Sequence, residues 1–227
     1  SLVADNPDNR GLRLTATRSY TSYTLALAAC GRSERAKQLS EKAKDYGLNL
    51  LVACLHLAGD KGYSLDELHG ALASCGKSDV PSLFWGGYGW ALWLQYQAGS
   101  PASLAGLAKV EAIMARVVQL DEGYYHGVAH LFLGSYYGSR PAMLGGNPAE
   151  SRAHFERALE IGDRQFLPSL VAFAETYART VFDRELFEKL LREVIDFPLQ
   201  TSPDFALVNQ VAKKRAGQLL ADVDLYF

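Results

Sequence analysis

The sequence predicts an all-α fold of about eleven helices, in which four helix pairs are joined by extra helices. Signals for the start and end of a helix recur along the whole chain. One long stretch, residues 124–159, has the pattern of two helices joined by a short turn. No sustained run of alternating polar and apolar residues is bounded by hairpin turns, so nothing favours a β-sheet.

The stretch over residues 124–159 predicts two helices packed back to back across a Gly/Pro/Asn turn. The first helix carries Leu133, Gly134 and Tyr137, and the second carries Phe155. Because a small residue leaves a hole for a neighbour's large side chain, this pattern lets two helices approach closely. The spacing is typical of a tetratricopeptide-type repeat.

The next unit along the chain has the same signature, since Phe173, Ala174 and Tyr177 repeat the large–small–aromatic triplet. Pro198 then falls at the position where such a unit closes. The preceding unit must hold an insertion over residues 141–148, which lengthens its inter-helix turn.

Two weaker copies fall near the N-terminus (Tyr20, Tyr23, Thr24, Ala36 and Ala43) and over residues 85–120. Because each helix pair needs its neighbours to bury its second face, we expect an α-solenoid that forms a single domain over residues 1–227.

Cap residues divide the first part of the chain. A helix ends near Ala29 before Gly31, and Ser33 is predicted to cap a second helix that ends at Gly47. Residues 48–58 are apolar nearly all round and predict a separate buried helix.

Further signals follow in order. Ser64 and Glu67 form a capping box for a helix that ends at Gly76, and Pro81 opens another that runs to Gly99. Residues 186–195 have an amphipathic helical spacing. A capping side chain precedes a proline at three further helix starts, which are Ser100-Pro101, Asn147-Pro148 and Ser202-Pro203.

Composition excludes several function classes. The net charge of −2 gives no electrostatic reason to expect nucleic acid or an anionic membrane as a partner. No apolar run approaches the ~20 residues that span a bilayer. Cys30, Cys54 and Cys75 are expected to be small buried residues, with a Cys54–Cys75 disulfide as the alternative. The chain opens on Ser1, so the sequence leaves open whether a signal peptide and a lipid-bearing cysteine precede it.

No motif predicts catalysis or a cofactor. His126 and His130 are four residues apart and would share a helix face, as two zinc ligands do, but position 127 is Gly instead of the glutamate of a metalloprotease motif. A core or helix-start histidine pair is therefore favoured over a metal site, and His154 is expected to face solvent. We expect no metal, no cofactor and no enzyme activity.

Two other motifs have structural explanations. The glycines of WGGYGW, residues 85–90, lack the context of a phosphate-binding loop and are expected to permit close helix contact. The basic run at residues 213–215 is expected to complement the dipole of its own helix, with a partner-docking patch as the alternative.

Aromatic residues concentrate in two segments that the repeat pattern places on adjacent first helices, where such arrays bind ligands. Packing explains many of them, but tyrosine and tryptophan also suit an apolar cavity with a few polar groups, and Arg140 could bind an anionic group there. The predicted cavity residues are Trp85, Tyr88, Trp90, Tyr124, Tyr125, His126, His130, Tyr136, Tyr137 and Arg140.

The chain also resembles a known family. The stretch YYHGVAHLFLGSYYGSRPAMLGGNPAESRAHFERALEIG is similar to the T-component family of TRAP transporters, as are FLPSLVAFAETYAR, VNQVAKKRAGQLL, GRSERAKQLSEKAKDYGL and PSLFWGGYGWALWL. These segments together cover most of the chain, and the first is long and specific.

The resemblance implies a periplasmic protein, lipid-anchored in its full-length form, that binds the substrate-binding protein of a tripartite, ATP-independent importer. It also implies a homo-oligomer, with a trimer as the first expectation, and a cavity or pore for a small hydrophobic or organic-acid ligand. No catalytic residues are implied. The alternative is a general protein- or peptide-binding scaffold without a small-molecule role, which predicts an open groove instead of a cavity.

Overall fold

The computed structural model describes residue 6 and residues 9–57, 63–97, 101–140 and 142–227. In these ranges the chain is helical and contains no β-strand, which confirms the all-α prediction. The ten α-helices found there compare with about eleven expected. The chain divides into two compact units, Ser1–Asp121 and Glu122–Phe227.

The first unit contains five α-helices, which are α1 (Arg10–Ala29), α2 (Ser33–Leu55), α3 (Leu65–Ala73), α4 (Val80–Gln95) and α5 (Pro101–Asp121). Gly31 follows α1 with a φ of 73°, as its place after a helix end requires. The capping box of Ser64 and Glu67 is present at the start of α3. The end of α3 falls three residues before the predicted Gly76, and Gly99 and Ser100 lie outside the described residues.

Two predictions for α2 are wrong. Ser33 is its first helical residue and makes no side-chain cap, and the helix continues through Gly47 to Leu55. Residues 48–55 are therefore part of α2, where Leu50, Leu51 and Leu55 are buried and the other five side chains are half-buried or exposed. Gly47 lies inside this helix and does not end it. Its missing side chain serves the packing of α2 against a neighbouring helix.

The glycines of α4 and Gly47 bring α2 and α4 into backbone contact. A methyl group on Gly47 would lie 2.8 Å from the carbonyl oxygen of Gly86, and one on Gly89 would lie 2.7 Å from the carbonyl oxygen of Ala43. A methyl group on Gly86 would lie 2.6 Å from Cγ of Leu51. The prediction that these glycines permit close helix contact is confirmed.

The second unit contains α6 (Val128–Gly138), α7 (Pro148–Ile161), α8 (Leu167–Ala172), α9 (Arg184–Asp196) and α10 (Ala206–Ala221). Short 3₁₀ turns precede or follow these helices at Tyr124–Gly127, Ala142–Leu144, Leu199–Thr201, Pro203–Phe205 and Val223–Leu225. The amphipathic spacing of residues 186–195 corresponds to α9, whose apolar face is buried.

The predicted pairing of α6 with α7 is confirmed. A methyl group on Gly134 would lie 3.0 Å from ring atoms of the buried Phe155, so the glycine provides the expected hole. The hydroxyl of Ser151 donates to the carbonyl oxygen of Gly134 at 2.7 Å. Asn147 caps α7 by accepting from two backbone N–H groups. The tetratricopeptide-like arrangement and the single domain over residues 1–227 stay predictions, and Pro141 of the insertion lies outside the described residues.

The helix α8 continues into a π-helical segment, Phe173–Ala178, that contains the second large–small–aromatic triplet. The Phe173 ring stacks on Phe155 with centroids 4.9 Å apart. The triplet therefore packs against α7, but from a widened turn that its spacing did not predict.

Three smaller predictions are wrong. The hydroxyl of Ser202 donates to the side chain of Gln165 at 2.6 Å and does not cap the turn that Pro203 opens. Lys213 donates to the carbonyl oxygen of Ile195 at 2.6 Å, so it satisfies the end of α9 and not the end of its own helix. Cys30 is exposed, Cys54 is half-buried and Cys75 is buried, and all three are free thiols.

Among the described helices, none is long and apolar enough to cross a membrane.

Candidate functional site

Three of the predicted cavity residues lie on α4 in the first unit. Trp85 and Trp90 are 1% and 8% exposed and belong to the core, whereas Tyr88 is half-buried. The rings of Phe84, Trp85 and Tyr88 lie 5.2 to 6.2 Å apart, and the guanidinium of Arg18 lies 5.2 Å from the Trp85 ring. The structure therefore brings aromatic side chains together on α4, but Trp85 and Trp90 serve core packing.

Tyr124, Tyr125 and His126 precede α6 instead of lying on it. Tyr125 has φ 48° and ψ 49°, and His126 has φ 62° and ψ 30°, which are left-handed conformations. Gly127 continues them with φ 72° and ψ 19°. Since non-glycine residues enter this region at a cost, two in succession persist only where the surrounding structure holds them there.

The left-handed turn points His126 away from α6. Its ring meets Phe205 edge to face at 4.6 Å and lies 6.2 Å from the ring of Phe166, while the Tyr125 ring is 5.6 Å away. The expectation that His126 and His130 share one helix face is therefore wrong. The described residues contain no group of three or more potential metal ligands.

His130 lies on α6 and is 5% exposed. Its Nδ1 is 2.8 Å from Nδ1 of His154 on α7, and its Nε2 is 3.4 Å from Oε2 of Glu122. The Tyr137 ring stacks on His154 with centroids 5.8 Å apart and an interplanar angle of 11°. The expectation that His154 faces solvent is wrong, since its ring lies against α6.

Arg157 holds the carboxylate beside His130. Its Nε donates to Oε2 of Glu122 at 3.0 Å, and a second donor contacts the other oxygen. The Arg157 hydrogen bonds lower the pKa of Glu122 to about 2, with a smaller contribution from His130. Burial and the neighbouring charge of His154 hold the pKa of His130 below its ordinary value of 6.5, against the opposing effect of Glu122.

Sequence reasoning missed Glu122, His154 and Arg157 as members of this cluster. A signal was available, because His154 is three residues after Ser151 and four before Ala158, both of which are buried. Helical periodicity therefore put His154 on the buried face. The partnership of Glu122 with Arg157, which is 35 residues away, had no local signal.

Arg140 follows α6 and lies against Tyr136. Its guanidinium carbon is 3.7 Å from the centroid of the Tyr136 ring, which contacts the Tyr137 ring edge to face at 5.1 Å. The Nη2 atom of Arg140 is buried and has no hydrogen-bond partner. A buried donor without a partner carries a desolvation cost, which an acceptor from a bound group would remove.

A cleft of about 460 Å³ opens elsewhere in the second unit, where α7, the π-helical segment and α9 meet. Leu159, Phe173, Leu186 and Leu190 contribute its apolar side chains. None of the predicted cavity residues lines this cleft. The enclosed cavity itself stays a prediction.

Comparison with known proteins gives two findings. The family model described as TRAP transporter T-component matches residues 1–227, the whole chain. Among curated proteins, the chain is similar to an uncharacterised protein of Treponema pallidum (strain Nichols), at 24% identity over 249 residues, which covers 100% of this chain and 75% of that protein.

Proposed function

Because this chain belongs to the TRAP transporter T-component family, we propose that it is a non-enzymatic accessory protein of a TRAP-type importer, binding the substrate-binding component and providing a cavity or pore for the ligand. The match along all of residues 1–227 is the observation that carries this proposal. The family is one of transporter accessory components and not of enzymes. A periplasmic location, an N-terminal lipid anchor and a homo-oligomer, with a trimer first, belong to the same proposal.

Arg140 and its neighbours support an apolar carboxylate as the ligand class. The buried Nη2 of Arg140 offers an unused donor, and Tyr136 and Tyr137 present aromatic surface beside it. A carboxylate would accept from the guanidinium while its apolar chain packs on the rings. The strained turn at Tyr125 and His126 adds support, because such conformations cluster at binding sites.

The first experiment tests partner binding. Size-exclusion chromatography with light scattering would measure the mass of this protein alone and mixed with the substrate-binding protein encoded beside it. We expect a homo-oligomer that takes up that partner. A monomer that ignores it would overturn the accessory role, and binding of unrelated extended peptides in its place would favour the general scaffold.

The second experiment tests the ligand with octanoate as the probe, and calorimetry measures its binding. We expect Arg140→Ala to weaken octanoate binding by tenfold or more and Arg140→Lys to restore part of it, since an ammonium keeps the charge but not the fork geometry. Arg184→Ala is the matched control, because Arg184 is an arginine of α9 with its own surface ion pairs. Equal octanoate affinity in all folded variants would show that Arg140 does not bind the ligand.

A further inference from the structure

The facing histidines of α6 and α7 form a contact whose strength depends on their protonation. The two Nδ1 atoms are 2.8 Å apart, which is a hydrogen-bond distance. One ring must therefore donate N–H while the other accepts with a bare nitrogen. Two protonated rings would bring two N–H groups against each other, and the contact could not be kept.

The charged groups around the two histidines influence how readily the pair takes up protons. Glu122 lies 3.4 Å from Nε2 of His130, so its carboxylate favours one positive charge on that ring. Arg157 donates two hydrogen bonds to the same carboxylate and partly neutralises its charge. Glu122 can therefore stabilise less positive charge on the histidine pair than a free carboxylate would. Tyr137 covers one face of His154 with its ring.

Charged groups on the neighbouring elements are engaged with other partners. In the π-helical segment Glu175 pairs with Arg215 of α10. His126 of the 3₁₀ turn packs on Phe205. In the described part of the second unit, the charges that act on His130 therefore come from His154, Glu122 and Arg157.

We propose that His130 and His154 form a proton-operated latch, which holds α6 against α7 while the pair carries at most one proton and releases the contact when both rings are protonated. The latch is placed to regulate the proposed binding site, because His130 and Tyr137 are predicted cavity residues on the same helix. That consequence for ligand binding rests on the proposed function, whereas the latch itself does not.

The sign of the effect follows from the lowered pKa of His130. A histidine whose pKa is lower in the folded state binds fewer protons there than in the unfolded chain, so stability falls as the pH drops below about 6.5. Complete exclusion of one proton from the folded state at pH 5.0 would lower the folded-to-unfolded ratio by about 30-fold relative to pH 7.5, which is the upper limit for an unfolded pKa of about 6.5.

Urea unfolding of the full chain at pH 7.5 and 5.0, followed by far-UV circular dichroism with EDTA present, tests the latch. His154→Gln provides an amide oxygen that accepts from a protonated His130, so we expect its pH effect to be smaller than that of the wild type, because the contribution of His154 is lost while that of burial stays. His69→Gln, at an exposed histidine of α3, is the matched control and should retain the wild-type pH effect. Equal pH effects in the three proteins would overturn the proposal.

A second measurement uses the wild-type protein and keeps the test independent of how the variants fold. NMR titration of the histidine ring protons should show His130 and His154 taking up protons in two coupled steps, with the second step shifting signals of both helices. Independent titration of the two rings near pH 6.5, with the helix signals unchanged, would refute the latch. Octanoate affinity is measured separately, so a failure of the ligand proposal leaves this result intact.

Discussion

Gly89→Ala is the most direct test of how the first unit is held together. Gly89 lies on α4 where that helix meets α2 and α1. An alanine methyl group there would lie 2.7 Å from the carbonyl oxygen of Ala43 on α2 and 3.2 Å from Oγ1 of Thr21 on α1. The nearer atom belongs to a helix backbone, so it cannot rotate away as a side chain would.

The size of the effect follows from two opposing terms. A carbon–oxygen contact needs about 3.3 Å, so α2 and α4 must separate by about 0.6 Å. Overpacking of this kind costs about 1–3 kcal/mol, and the upper half applies here because backbone atoms are involved. Alanine in a helix gains about 1 kcal/mol over glycine. We therefore expect a net loss of about 1–2 kcal/mol in the free energy of unfolding.

The assay can report on this unit alone. The chain has three tryptophans, Trp85, Trp90 and Trp93, and all lie on α4. Urea unfolding followed by tryptophan fluorescence therefore monitors the helix that carries the substitution. Gly70→Ala is the matched control, since Gly70 is an exposed helical glycine of α3 with nothing within 4 Å of an added methyl group. That control should gain up to about 1 kcal/mol.

The comparison has a clear refuting result. If Gly89→Ala were as stable as Gly70→Ala, α2 and α4 would have room for a side chain at their contact. The backbone contact would then not be the reason for glycine at this position.

Two further substitutions test the second unit by urea unfolding with far-UV circular dichroism. Asn209 is fully buried, accepts from the backbone N–H of Leu167 and donates to the carbonyl oxygen of Gln165, so Asn209→Ala should lower the free energy of unfolding by about 1–3 kcal/mol. A loss below about 0.5 kcal/mol, the scatter of surface substitutions, would contradict a stabilising role for these two hydrogen bonds. Asn147→Ala removes the cap of α7 and should cost about 1 kcal/mol, whereas Asn147→Gly should cost only a few tenths. An Asn147→Ala variant as stable as the wild type would mean that the side-chain hydrogen bonds contribute little.

The parts of the fold that the sequence predicted well are those that depend on neighbours in the chain. The capping box at Ser64, the cap at Asn147 and the apolar face of α9 are all confirmed, because each is decided within a few residues. Gly47 shows where this reasoning fails. A glycine can end a helix, or it can let a neighbouring helix approach closely. For Gly47, only the position of α4 shows which of these two roles applies.

The candidate site was harder to predict because it depends on backbone conformation. An i, i+4 histidine pair shares a face only on a continuous helix, and the left-handed residues at Tyr125 and His126 break that continuity. No local rule places a tyrosine and a histidine in this region, where glycine is favoured. The sequence pattern consequently identified the aromatic residues but paired His130 with His126, whereas His130 contacts His154 in the structure.

This departure from local preference is itself informative about where the chain carries function. Asp163, Arg164 and Phe182 of the second unit also have left-handed backbones, but each lies just after a helix end, where that conformation is common. The departure at Tyr125 and His126 instead falls just before α6, the helix that carries His130. Sequences that follow local rules depart from them chiefly at sites kept for another purpose. The strained turn, the proton-sensitive histidine contact and the unpaired Arg140 nitrogen lie before, on and after α6 in turn. α6 and its two flanking segments are therefore the candidate site of the second unit.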